Sequence, residues 1–192
     1  MKVNKLNSFY FTKSIENHNF HKNIILKLIE KIPKNKFENI SHTDWTLPND
    51  YKREYLEYFK TIINSYILEI RDYLNTEKYI FENCWFQQYY QNDDHSWHTH
   101  ELTQFANVYF VELPNKHYKT EIFDNTTNTL IDLDVKEGDV ITFPSFYSHR
   151  SKPNISNERK TIIAFNSSFY ISDQNKINTI FSYYKKFQMY LN

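Results

Sequence analysis

The stretch Asp94-His95-Ser96-Trp97-His98-Thr99-His100, leading into Phe105-Ala106-Asn107-Val108-Tyr109-Phe110-Val111, decides how the 192-residue chain is read. Three of the chain's eight histidines fall within six residues. Side chains on an extended backbone alternate between two faces, so His98 and His100 project from the same side and can hold one metal ion together. The apolar run after them has the character of a strand, which puts the pair at the mouth of a sheet. A third ligand would complete a site. The best candidate is His149, in Phe143-Pro144-Ser145-Phe146-Tyr147-Ser148-His149-Arg150, and Arg159 follows it by ten residues in Arg159-Lys160-Thr161-Ile162-Ile163.

Composition bounds the rest. A chain of this length fits one domain, taken as residues 1–192, and can bury roughly 70% of the surface its unfolded form exposes. The single cysteine, Cys84, excludes an internal disulfide framework and suits a reducing compartment, so a cytoplasmic location is expected. Neither an apolar leader nor a run approaching the roughly 18 residues of a membrane span is present. Lys plus Arg and Asp plus Glu both total 23, which gives no overall attraction to nucleic acid or to an anionic membrane. Tyr and Phe number 16 each against one glycine, so asparagine is expected at turns with positive φ.

Along the chain, residues 3–12 alternate weakly, as an edge strand would. Phe20, Ile24, Leu28 and Ile32 recur every fourth residue over 16–32, predicting a helix capped by Ser14 and stopped by Pro33. A second helical stripe of Tyr55, Phe59, Ile62, Ile63, Tyr66, Ile70, Tyr73 and Leu74 lies between Asp50 and Asn75 and should brace a sheet. The period then changes from about 3.6 to 2, predicting strands over 79–90, 105–113, 119–123, 140–143 and 161–169. Residues 172–191 return to helical spacing. The fold class is therefore α+β: helical support over 1–76, a jelly-roll core over 77–170, and a C-terminal helix over 171–192.

The residues from 85 to 169 resemble the Fe(II)- and 2-oxoglutarate-dependent oxygenases, which have a double-stranded β-helix core. The resemblance is nearest to bacterial and phage-type members in which His-x-His precedes a short spacer and a Val-Tyr-Tyr-like strand. Here these are His98-Thr99-His100 and Val108-Tyr109-Phe110. The distal Gly-x5-Pro-x4-His segment is matched by Gly138, Pro144 and His149, with Arg159 beyond it. The resemblance implies that His98 and His149 are iron ligands, with His100 where most members have Asp or Glu. It also implies that Arg159 holds the distal carboxylate of 2-oxoglutarate, that Thr161 gives it a hydroxyl, and that Tyr89 hydrogen-bonds the same cosubstrate. Fe(II), 2-oxoglutarate and O2 would then be the reactants. A small molecule or a protein side chain would be oxidised, with release of succinate and CO2.

Elementary coordination chemistry agrees, because an oxygen-activating non-haem iron needs about three protein ligands on one face and open positions opposite. The point of departure is His100, a neutral imidazole in a carboxylate's place. Two other readings remain open. A three-histidine cupin fits Gly138-x5-Pro144-x4-His149 and His98-x-His100 with Gln104, lacks the glycine that its motif has at Phe146, and needs no 2-oxoglutarate. A jelly-roll binding module would use the same histidines and rings merely to line a pocket. The structural alternatives for single residues are plainer: His95 supports the ligands or lies in a loop, Trp85, Trp97 and Tyr109 are core or pocket wall, and His18, His21, His42 and His117 are surface residues.

Overall fold

The computed structural model describes residues 9–171. The expected helix over 172–191, and residues 3–8 of the expected edge strand, lie outside that range. Ten strands and two α-helices follow in the order β1 (Phe11–Ser14), α1 (His18–Ile29), β2 (His42–Thr43), α2 (Glu54–Tyr73), β3 (Lys78–Tyr89), β4 (His95–His98), β5 (Phe105–Glu112), β6 (Glu121–Asp124), β7 (Thr129–Ile131), β8 (Asp139–Pro144), β9 (Ser148–Ser151) and β10 (Lys160–Tyr170). Pairing is antiparallel throughout. One sheet runs β1-β8-β5-β10-β3-β2 and the other β4-β9-β6-β7, the two halves of a jelly roll.

The larger sheet is buried on both faces. On the outer face, Tyr55, Phe59, Ile63 and Ile70 of α2 and Ile25 and Ile29 of α1 pack on Phe86, Tyr109, Ile163 and Phe165. The Phe59 ring lies parallel to Tyr109 and edge-on to Phe165, each at 5.6 Å between centroids. On the inner face, Tyr89, Val108, Phe110, Ile141, Phe143 and Ile162 meet Ile122 of the smaller sheet. Two apolar layers therefore share one sheet, and β5 and β10 carry almost no exposed residue.

Local chemistry explains most departures from the periodic reading. Helix α1 starts at His18 rather than 16, after Asn17 in the left-handed region (φ 51°), and Ser14 is a strand residue that donates to Asp139 instead of a cap. Its buried residues are Ile25 and Ile29, while Phe20 is 63% exposed, so within the helix the expected stripe is rotated by one position; Ile32, beyond the helix end, is buried as expected. Asn17, Asn75, Asn92 and Asn128 all have positive φ, as the shortage of glycine requires. Gly138 (φ 91°) is where no substitute fits, since a Cβ there would stand 2.8 Å from the His18 ring. The segment 34–50 holds the short strand β2 and is pinned by Asp44. That fully buried carboxylate accepts from Arg53 Nε at 2.8 Å, Tyr55 Oη at 2.6 Å and the Phe86 amide at 3.0 Å. No helix among the described residues is long and apolar enough to cross a membrane.

Candidate metal centre

The three histidines come together from two strands and a loop. His98 of β4 and His149 of β9 are direct cross-strand partners. His100 lies just beyond β4, where its amide donates to the Ser145 carbonyl at 3.1 Å. One ring nitrogen of each lies within 4.8 Å of the other two. A point between three such atoms lies at most about 2.8 Å from each, within about 0.7 Å of the ~2.1 Å of a metal–imidazole bond.

The remaining ring nitrogens are all engaged. Nδ1 of His98 donates to the Ser96 carbonyl at 2.7 Å, Nδ1 of His149 to the Tyr147 carbonyl at 3.1 Å, and Nδ1 of His100 to Asn166 Oδ1 at 2.6 Å. A carbonyl oxygen only accepts, so each ring carries its proton on Nδ1 and keeps the Nε2 lone pair for a metal. This is the arrangement that orients metal-binding histidines. Burial, first among the causes, lowers the pKa of all three rings, most strongly for His149. At neutral pH the centre is therefore three uncharged donors, a set that fits a divalent iron.

His95 stacks on His98 at 4.0 Å between centroids and also lines the pocket, with burial pushing its pKa down to about 4. Trp85, Gln87, Tyr89, Val108, Ile162 and Ala164 form further walls. Trp85 stands 5.8 Å from the His100 ring and is covered by the half-exposed Trp45 at 4.3 Å. Trp97, 40% exposed, lies under the Arg150 guanidinium at 4.6 Å.

The expected cosubstrate residues divide. Tyr89 lines the pocket and donates its hydroxyl to Gln87 at 2.7 Å. Arg159 does not face the pocket: its Nε and Nη2 form a fork on the Glu112 carboxylate at 2.8 and 2.9 Å. Thr161 donates to the same carboxylate, so it too is turned away. The cause is strand parity. Ile162 and Ala164 of β10 line the pocket, and Lys160 and Asn166 on the same face reach Ser151 and His100, while Ile163 and Phe165 belong to the apolar layer under the helices.

The residue turned inward is Lys160, which the sequence reading did not single out. It is 1% exposed, donates to Ser151 Oγ at 2.7 Å and lies 5.0 Å from the centroid of the Tyr89 ring. Among the described residues no carboxylate is within ion-pair distance of its ammonium, and burial pushes its pKa down to about 7. Gln104, the candidate cupin residue, is spent elsewhere, accepting from the Phe169 amide at 2.8 Å.

No family model and no curated protein sequence matches the chain. Solved structures do. A prolyl-4-hydroxylase from Pseudomonas putida superposes with a TM-score of 0.60 at 12% identity, over 85% of this chain and 93% of that one. A viral collagen prolyl hydroxylase from Paramecium Bursaria Chlorella virus-1, solved with 2-oxoglutarate, gives 0.55 at 15% identity over 85% and 96%. A prolyl hydroxylase from Trichoplax adhaerens, in complex with a peptide fragment of hypoxia inducible factor, gives 0.59 at 12% identity over 88% and 86%. The chain thus has the double-stranded β-helix fold of these oxygenases, as the motif resemblance implied.

Proposed function

We propose that the protein is an Fe(II)- and 2-oxoglutarate-dependent oxygenase, with iron held by His98, His100 and His149. The observation that carries this reading is a buried, carboxylate-free lysine behind the wall of a pocket that also contains three convergent neutral imidazoles. Burying an ammonium without a counter-charge is costly. A lysine whose pKa burial has drawn down to about 7 gains from a bound anion that favours its charged form. We assign the distal carboxylate of 2-oxoglutarate to Lys160, and Arg159 loses that role to its neighbour.

Iron and 2-oxoglutarate, when bound, supply the oxidation: the oxo acid loses CO2 to become succinate, and one atom of O2 is left for the substrate. The chain does the rest. The Nδ1–H bonds fix the three rings so that His98, His100 and His149 would hold the iron through Nε2. Lys160 and Ser151 give the cosubstrate a charged and a neutral donor, and Tyr89 limits its position from the side. Val108, Ile162 and Ala164 give the pocket an apolar lining, which would strengthen an ion pair formed beside it. The rings of Trp85 and Trp97 flank the pocket with stacking surfaces suited to a peptide side chain or a ring-bearing small molecule.

Succinate production from 2-oxoglutarate by the Fe(II)-loaded protein tests the reading. Turnover should require Fe(II) and O2 and be lost in Lys160→Met. Succinate formed at the normal rate by that variant would refute the cosubstrate assignment.

A further inference from the structure

We infer that Asn166 is the residue that allows an imidazole to work at position 100. The inference rests on the metal reading above and extends it to a group outside the ligand set. His98 and His149 are oriented by backbone carbonyls two residues before each of them, Ser96 and Tyr147, so their tautomers come with the local chain. His100 has no such neighbour. Its Nδ1 is met by a side chain 66 positions away, the amide of Asn166 on β10.

An imidazole at a metal position must be fixed in two respects that a carboxylate need not be, its tautomer and its ring plane. The Asn166 oxygen settles both at once. It accepts from Nδ1 at 2.6 Å, which forces the proton there and aims Nε2 at the space shared with His98 and His149. The amide is 6% exposed, so water does not compete for the ring. It is also firmly placed: Asn166 pairs with Ala106 of β5, and on its other side the ladder to β3 breaks register, with Phe165 opposite Cys84 and Ser167 opposite Phe81. Such an irregularity re-aims a side chain locally without moving the sheet. Asn166 is a positioning residue, and His100 with Asn166 forms the unit that takes a carboxylate's place.

The test uses Co(II) as the probe and compares the wild type with Asn166→Leu and Asn166→Asp, and compares His100→Asp with and without Asn166→Leu. Leucine keeps the size and removes the acceptor. We expect Asn166→Leu to weaken Co(II) binding by roughly 10–100-fold, as loss of a hydrogen bond to a ligand does elsewhere, and Asn166→Asp to restore it, since a carboxylate is again an acceptor. In the metal-free protein, the nitrogen resonances of His100 should show the Nδ1–H tautomer in the wild type and in Asn166→Asp and a mixture in Asn166→Leu. With aspartate at position 100, Asn166→Leu should change Co(II) affinity less than threefold. Co(II) affinity and His100 tautomer both unchanged in Asn166→Leu would overturn the inference while leaving the metal reading intact. Equal weakening in Asn166→Asp and Asn166→Leu overturns it as well, because the acceptor would then be irrelevant. A wild type that binds no Co(II) overturns the metal reading and this inference with it.

Discussion

Arg159 and Lys160 are adjacent cations on opposite faces of β10. Arg159 grips Glu112 with two nitrogens, whereas Lys160 points inward to Ser151 Oγ at 2.7 Å and has no carboxylate partner among the described residues. The Arg159 charge is neutralised by a direct carboxylate fork, whereas Lys160 has a hydroxyl as its hydrogen-bond partner. A strand that alternates its faces converts a one-residue step into this difference of role.

Exchanging the two positions separates stability from binding. Lys160→Met should weaken 2-oxoglutarate binding to the metal-loaded protein by at least about 30-fold, in the range seen when one partner of a buried charge pair is removed. Arg159→Gln should leave that affinity within about threefold and instead lower the unfolding free energy, because Glu112 loses its fork. Calorimetric titration and chemical denaturation of both variants provide the check.

The ligands make a graded prediction. His98→Ala and His149→Ala should each reduce metal affinity by more than the roughly 10–100-fold that follows loss of a hydrogen bond to a ligand. His95→Ala removes a ring stacked on His98 but no donor within the triad, so it should cost less than tenfold. Competition with a metal chelator would rank the four proteins. A His95→Ala loss equal to that of His149→Ala would contradict the assignment.

Stability should rise with pH in two separate windows, one for each kind of buried base. His95, His98, His100 and His149 have folded-state pKa values below the ordinary 6.5, so an unfolded chain takes up protons that the folded chain refuses as pH falls below about 6.5. The metal-free protein therefore loses stability on acidification from that point. Lys160 is held near 7 against an ordinary value of 10.5, so the unfolded chain is again the more protonated between these limits. Its contribution to stability rises with pH across that window. Thermal unfolding of metal-free protein between pH 5 and 9 tests both, and Lys160→Met should flatten the alkaline rise alone.

Asp44 gives a purely structural prediction with a consequence at the site. Its carboxylate ties Arg53, Tyr55 and the Phe86 amide together, and the next residue, Trp45, lies against the pocket wall at Trp85. Burial raises its pKa despite those partners. Asp44→Ala should destabilise the fold by roughly 3–5 kcal/mol, the cost of stranding one member of a buried ion pair. Denaturant unfolding measures it.

The sequence carried the four longest strands, the short β6, both helices and the histidine triad, because each has a signal: a period, or histidines at ligand spacing. What it hid has a physical reason. Strand β10 is buried on both faces, so Ile162, Ile163, Ala164 and Phe165 form one unbroken apolar run with no alternation to show which neighbour of the Arg159-Lys160 pair turns inward. Four of the six short strands, β2, β4, β7 and β9, span two to four residues each and show no period. Asn166 was silent because its partner is distant in sequence; a polar residue in an otherwise apolar strand was its one trace.

The central claim is that one pocket holds both the iron and the 2-oxo acid. Anaerobic titration of the Fe(II)-loaded protein with 2-oxoglutarate tests it directly. A visible metal-to-ligand charge-transfer band should grow to saturation at one equivalent in the wild type and in Arg159→Gln, and should require at least about 30-fold more 2-oxoglutarate in Lys160→Met. A protein that binds Fe(II) stoichiometrically yet develops no band would contradict the account and leave the three histidines to a chemistry without 2-oxoglutarate.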